Sequence, residues 1–347
     1  MDRVLGKKMR HCVMAMLIVV VGFSAFADEP KPESETGSES EQRLKQTLEW
    51  LPFATETIIA AQGPFQVRAS ITNPDPPPKQ KLSDMLESWS LTPLHSLRKG
   101  KYLKTLAGQN VLLSLEGARH FRHPFSLGLA PYDGCHILVF DDKFPEVGDQ
   151  LMKQISRDTK RKYHHDGQDL FAFDEQFEED RWTIFVARPQ PNVLLCGTDR
   201  GFVSVVLSLM ADKKRPPNLP KLTDLPEWKH VDTKARFWAI RHFDPGNASN
   251  DPTTPLTPYR RGANNPDLQA IGITFSFDPA HESQKLILRY LSKNQDRQAV
   301  LKHHWQPPIM KELENDVTEF AYLVPDGVTI PNFDLLFLMA FGHAIFI

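Results

Sequence analysis

Apolar residues along the chain fall in short runs divided by proline, glycine and acidic stretches, and the spacing inside each run names an element. Thr57-Ile-Ile-Ala-Ala-Gln62 is a β-branched run that predicts a strand, with Gly63-Pro64 as its stop. Val111 to Leu115 predicts a second strand. Cys135 to Phe140 predicts a third, apolar throughout and therefore central, with both faces covered. The period then changes: Phe144, Val147, Leu151 and Ile155 lie on one helical face, with Pro145 in the first turn. Leu82, Met85, Leu86 and Trp89 have the same spacing and predict a helix starting at Ser83.

Asp166-Gly167 stands between two extended runs and predicts a hairpin turn. Strands are expected at Trp182 to Arg188 and Val193 to Gly197, joined around Pro189-Gln-Pro191. Thr198 or Asp199 is then placed to cap a helix from Arg200 to Met210. Further strands are expected at Ala235 to His242, Ala270 to Phe277, Leu286 to Leu291 and Val317 to Val324, with a helix over Asp296 to Trp305. The apolar end, Leu335 to Ile347, reads as a short buried helix and a closing strand. Meandering strands among interspersed helices predict an α+β fold with mixed, mainly antiparallel sheets, not a doubly wound parallel one. The proline-rich stretch around Pro216, Pro217 and Pro220 suggests two packed lobes, residues 44–222 and 223–347. A strand followed by a helix occurs at 135–156 and again at 193–211, each with an aspartate at the strand end, but the intervening residues do not match well enough to claim a duplication.

The first residues change the picture. Arg3, Lys7, Lys8 and Arg10 precede an apolar run from Val13 to Ala27 that closes on Ala25-Phe26-Ala27. That is the three-part layout of a secretory signal, and the run is short of the roughly 20 apolar residues of a spanning helix. Residues 1–27 are therefore expected to be removed, placing the protein in the periplasm or outside the cell with no transmembrane segment. Taking 27 residues from 347 leaves a mature chain of 320. Residues 28–43 hold no large apolar side chain and are expected to be a disordered acidic spacer. Cys135 and Cys196 remain in the mature chain, both in apolar runs, and read equally well as buried thiols or as a bridge.

The chain carries 41 basic and 43 acidic side chains. Without the leader (four basic, one acidic) and residues 28–41 (one lysine, six carboxylates) the two signs balance. A nucleic-acid partner is therefore not expected, since such a domain needs a basic excess.

No motif commits the chain to a chemistry. There is no Gly-x-Ser-x-Gly elbow, phosphate-binding loop, dinucleotide fingerprint, His-Glu-x-x-His or Cys-x-x-Cys. His164 and His165 are adjacent in an extended run and point to opposite faces. His303 and His304 diverge by about 100° on a helix. His120 and His123 are flanked by Arg119 and Arg122, whose charges oppose a divalent ion. No metal or cofactor is expected. Asp141 and Asp142, at the carboxyl end of a buried strand, are candidate catalytic carboxylates, as are Asp199 and the imidazole of His136; capping of the following helix competes for each aspartate. Ser204 and Ser208 read as packing residues of an apolar helix. Arg260 and Arg261, in a long polar loop from Asp244 to Asp267, are candidate ligands for an anionic group.

Leu48-Glu-Trp-Leu-Pro52, Thr55-Glu-Thr57, Phe237-Trp-Ala-Ile-Arg-His242, Asp251-Pro-Thr-Thr-Pro255, the Ala270 to Asp278 strand and the terminal Gly342-His-Ala-Ile-Phe-Ile347 resemble uncharacterised secreted proteins of planctomycete bacteria. That resemblance implies an exported bacterial α+β protein and brings no site residues. Two functional classes are expected: a non-catalytic binding or scaffold protein with a cell-envelope partner, or a hydrolase or metal-assisted enzyme built from dispersed Asp and His residues.

Overall fold

The computed structural model describes residues 37–53, 55, 57–67, 101–120, 133–177, 180–211, 221–224 and 226–242, and the strands at 270–278, 285–292, 309–313 and 317–323. The segment read as an export leader, the helices expected from Ser83 and over 296–305, the 244–267 stretch and the apolar terminus lie outside these residues.

The fold is α+β. Its strands are β1 (Thr57–Gln66), β2 (Asn110–His120), β3 (Asp133–Phe140), β4 (Lys162–His165), β5 (Gln168–Phe177), β6 (Asp180–Gln190), β7 (Val193–Gly197), β8 (Phe237–His242), β9 (Ala270–Asp278), β10 (Lys285–Ser292), β11 (Ile309–Leu313) and β12 (Val317–Leu323). Four α-helices accompany them among the described residues: α1 (Gly37–Glu49), α2 (Leu103–Leu106), α3 (Phe144–Asp158) and α4 (Arg200–Met210). The 12 strands form one sheet in the order β11-β12-β10-β9-β8-β1-β2-β3-β7-β6-β5-β4. Every neighbouring pair in it is antiparallel. Hydrogen bonding does not stop near residue 222, where separate sheets were expected to meet. β8, from the second half, pairs with β1, from the first, with Ile59 opposite Ala239. β1 has a free edge once β2 is paired, and the returning chain satisfies it.

Register assigns each side chain to a face, because alternate residues point to opposite sides. Cys135, Ile137 and Val139 sit opposite Gly197, Leu195 and Val193 on one face. There α4 packs Phe202, Val203, Val206 and Leu207 into a continuous apolar core with Leu44 and Leu48 of α1. His136 and Leu138 sit opposite Cys196 and Leu194 on the other face. α3 covers part of that side: Phe140 stacks on Phe144 at 3.8 Å, and Arg188 donates to the Pro145 carbonyl at 2.8 Å. With Ile137, Leu138 and Phe140 fully buried, β3 is covered on both sides, as its unbroken apolar run predicts.

Three local expectations need correction. Gly63-Pro64 does not end β1; the strand continues to Gln66 through a register shift between Gln62 and Phe65. Proline is tolerated in a strand at such a bulge because its missing N–H falls out of the ladder. Glycine is needed beside it, since a Cβ there would lie 2.0 Å from the Val111 carbonyl oxygen. The acidic spacer is helical from Gly37, because Leu44, Thr47 and Leu48 dock on the sheet and the helix grows back through good helix formers. Ser40 Oγ donates to Gln62 Oε1 at 2.8 Å, tying that early turn to β1. In α3 the buried fourth position is Gly148 rather than Val147. β11 (Ile309–Leu313) had no clear sequence signal: Ile-Met-Lys-Glu-Leu neither alternates nor carries a β-branched run.

The hairpin forms as its turn chemistry requires. Asp166 and Gly167 both take positive φ, 49° and 80°, which Asp and Gly tolerate best. Asp199 caps α4: its Oδ1 accepts from the Phe202 backbone N–H at 2.6 Å.

Candidate functional site

Asp141 follows β3, and both its oxygens are engaged. Oδ2 accepts from Asn110 Nδ2 at 2.8 Å and Oδ1 from the Lys143 backbone N–H at 3.1 Å, closing the turn into α3. Asp142 is exposed beside it. Asp199 follows β7 and is used as the α4 cap. The two strands run antiparallel, with Cys135 opposite Gly197 and Val139 opposite Val193, so their carboxyl ends point to opposite ends of the sheet. Asp141 and Asp199 are thereby held about 25 Å apart along the strand direction, at about 3.3 Å per residue. His136 lies inside β3, away from both. These four residues do not meet in one place. Arg260 and Arg261 lie outside the described residues, as do His303 and His304. Groups of three or more acidic, His or Cys side chains placed to hold a metal are absent among the described residues.

Two other constellations do form. The first joins the hairpin to α4. Ser208 Oγ donates to Asp166 Oδ2 at 2.5 Å, and His165 Nε2 lies 2.9 Å from the same Oγ. His165 Nε2 is also 3.3 Å from Asp166 Oδ2. Ser, His and Asp thus meet, but in the wrong order for nucleophilic catalysis. A hydrolytic triad needs the carboxylate on one ring nitrogen and the serine on the other. Here both crowd Nε2, and the serine proton is committed to the carboxylate. The triangle fastens the edge hairpin to the helix. His164, on the opposite face, is exposed and pairs with Asp169 at 3.3 Å. The Asp169 carboxyl is held below its usual range, chiefly by its hydrogen bond to Lys162 and secondarily by His164.

The second constellation crosses the centre of the sheet. Glu116 on β2 is opposite His136 on β3, and His136 is opposite Cys196 on β7, so the three share a face. Glu116 Oε2 and His136 Nε2 are 3.4 Å apart, and the two side chains are only 8% and 7% exposed. Burial lowers the His136 pKa, with the Glu116 charge opposing that shift in part. Burial likewise pushes the Cys196 thiol up to about 12, and the Cys135 thiol well above its usual value, the latter with Glu116 and Cys196 adding to it. Both thiols are free. Register explains why: Cys135 and Cys196 belong to opposite faces, so their Cβ vectors diverge and cannot be bridged.

Comparison with known proteins adds a likeness of shape. No family model and no curated protein matches the chain. Among solved structures it is similar to TP0453 in three crystal forms, each at 9% identity. Form I aligns with a TM-score of 0.44 over 85% of this chain and 97% of that one. Form III gives 0.41 over 84% and 97%, and form IV 0.39 over 84% and 96%.

Glu116 had a legible signal: one carboxylate in the otherwise apolar run Val111-Leu-Leu-Ser-Leu-Glu-Gly-Ala118. Ser208 had none, because its partners lie 42 and 43 positions away along the chain.

Proposed function

We propose that this is an exported cell-envelope protein that binds or scaffolds without catalysing a reaction. The observation that supports this reading most directly is how the aspartates singled out for catalysis are spent. Asp141 closes the turn into α3, and Asp199 caps α4. A carboxylate already accepting such bonds is a poor base, because its lone pairs are taken and its geometry serves the backbone. The three-part amino-terminal segment supports export, with cleavage after Ala27 and residence in the periplasm or outside the cell. Partners are sought in the envelope rather than among nucleic acids, in keeping with the balanced charge.

The test has two parts. Cell fractionation with intact-mass measurement is expected to find the protein outside the cytoplasm and beginning at Asp28. Intact Met1 on cytosolic protein defeats the export reading. Purified protein is expected to leave chromogenic esters, phosphates and glycosides unhydrolysed, with or without added zinc. Turnover that disappears in His136→Gln would establish the alternative, a hydrolase or metal-assisted enzyme.

A further inference from the structure

Charge balances over the chain but not over its surface. Lys153 and Arg157 each stand two positions after a buried residue of α3, Leu151 and Ile155, and so about 200° round the helix from it. Lys160 follows just past the helix end, and all three are exposed. α2 lies against this part of α3: Thr105 Oγ1 donates to Gln154 Oε1 at 2.9 Å, and Tyr102 Oη to Asp158 Oδ2 at 2.7 Å. That contact brings the exposed Lys101 and Lys104 alongside. Lys162 of β4 shares the face that α3 covers, through the row Phe171, Val186 and Cys196.

Two carboxylates enter this patch. Asp158 accepts from Lys101 Nζ at 2.6 Å, and Asp169 pairs with Lys162 Nζ at 2.7 Å. Six cations against two carboxylates leave four positive charges in excess, and Lys104, Lys153, Arg157 and Lys160 have no ion-pair partner among the described residues. The acidic residues Glu146 and Asp149 belong to the other end of α3, and Asp149 is held by Arg188 at 2.5 Å. Compensation of the helix dipole accounts for Arg157 in the last turn of α3. It accounts neither for the lysines of α2 nor for one beyond the helix end.

We infer that this surface is where the protein meets an anionic lipid membrane. From Lys153 to Lys160 the charges extend about 10 Å along α3, at about 1.5 Å per residue. That is close to the screening length of about 8 Å at physiological ionic strength, so neighbouring cations act together on the same headgroups. An acidic peptide would be gripped by apolar anchors as well as by charge. This patch offers none: the exposed large apolar side chain among the described residues, Val205, is on α4, on the other face of the sheet. A bilayer supplies dense negative charge and asks for no pocket. The inference rests on the binding reading above and gives it a partner class.

The test uses the chain from Asp28 onward, which retains every described residue, and vesicles of phosphatidylcholine containing about one third phosphatidylglycerol. In about 0.05 M NaCl the protein is expected to sediment with these vesicles and not with phosphatidylcholine alone, and about 0.5 M NaCl should release it. Each basic residue near an anionic surface contributes about fivefold, so Lys153→Gln, Arg157→Gln and Lys160→Gln together should weaken partition about a hundredfold. Lys45→Gln, Lys221→Gln and Lys229→Gln, which make the same change in net charge at exposed positions elsewhere, are expected to leave partition unchanged. Thermal melting checks that each variant folds; if the first triple does not, Lys104→Gln with Lys160→Gln decides, with a loss of about 25-fold expected. Three results overturn the inference: no sedimentation of folded wild type, even with retention on immobilised polyglutamate; equal sedimentation with phosphatidylcholine alone; or an equal loss in the comparison triple. Residence and turnover are measured separately by fractionation and hydrolysis, so the two readings fail separately.

Discussion

The Ser208–Asp166–His165 triangle yields a sharp prediction, because a fastener and a nucleophile respond differently to the same substitution. Ser208→Ala removes the donor to Asp166 and the acceptor for His165 while keeping a good helix former in α4. A hydrogen bond to a charged group contributes about 1.5–3 kcal/mol net. The Asp166 side chain is 16% exposed, so water recovers part of that, and a loss of about 1–2 kcal/mol is expected. Asp166→Asn removes the charge but keeps a residue that tolerates positive φ at this turn. In the double mutant the two losses should not add, leaving a coupling energy of about 1 kcal/mol. Urea unfolding of the four proteins measures this through the midpoints at constant slope. A coupling energy near zero would refute the fastener. So would ester hydrolysis by the wild type that Ser208→Ala abolishes, since it would mean that the serine proton is free to leave.

Three other outcomes follow from the same geometry. The folded-state pKa of His136 is depressed by burial below its ordinary 6.5, so below that pH the unfolded chain binds the proton more readily. Stability is then full above about pH 6.5 and falls with acid down through the folded value; His136→Gln should flatten that part of a urea-midpoint-against-pH curve, and parallel curves would contradict the assignment. Asp199→Ala should cost about 1 kcal/mol by removing the α4 cap, with Asp199→Ser losing much less; equal losses in the two variants would mean that the cap contributes little. Thiol titration should find Cys135 and Cys196 unreactive in the native protein and both reactive in denaturant without reductant; a denatured, unreduced chain lacking both thiols would show a bridge that the register forbids.

Much of this protein was legible locally. The Asp166-Gly167 turn, the α4 cap at Asp199 and the two-sided burial of β3 each depend on a few neighbouring residues. Turn conformation, capping and apolar periodicity act over one or two turns of chain, so they can be read in order along it. The bulge at Gly63-Pro64 could not, because whether a proline ends a strand or is absorbed depends on whether the partner, here β2, continues past it. Nor could the first turns of α1, which form because Leu44 and Leu48 find a sheet to dock on.

What tertiary structure decided is which residues meet. Adjacent strands run antiparallel, which drove Asp141 and Asp199 to opposite ends of the sheet although each follows a strand in the same way. Register gathered Glu116, His136 and Cys196 in one row and parted Cys135 from Cys196 onto two faces. The return of β8 to β1 made one sheet where composition had suggested two. Each is a pairing across tens or hundreds of residues, set by which strand edges were left to satisfy, and hydrogen bonding across such distances leaves no periodic trace in the amino-acid order.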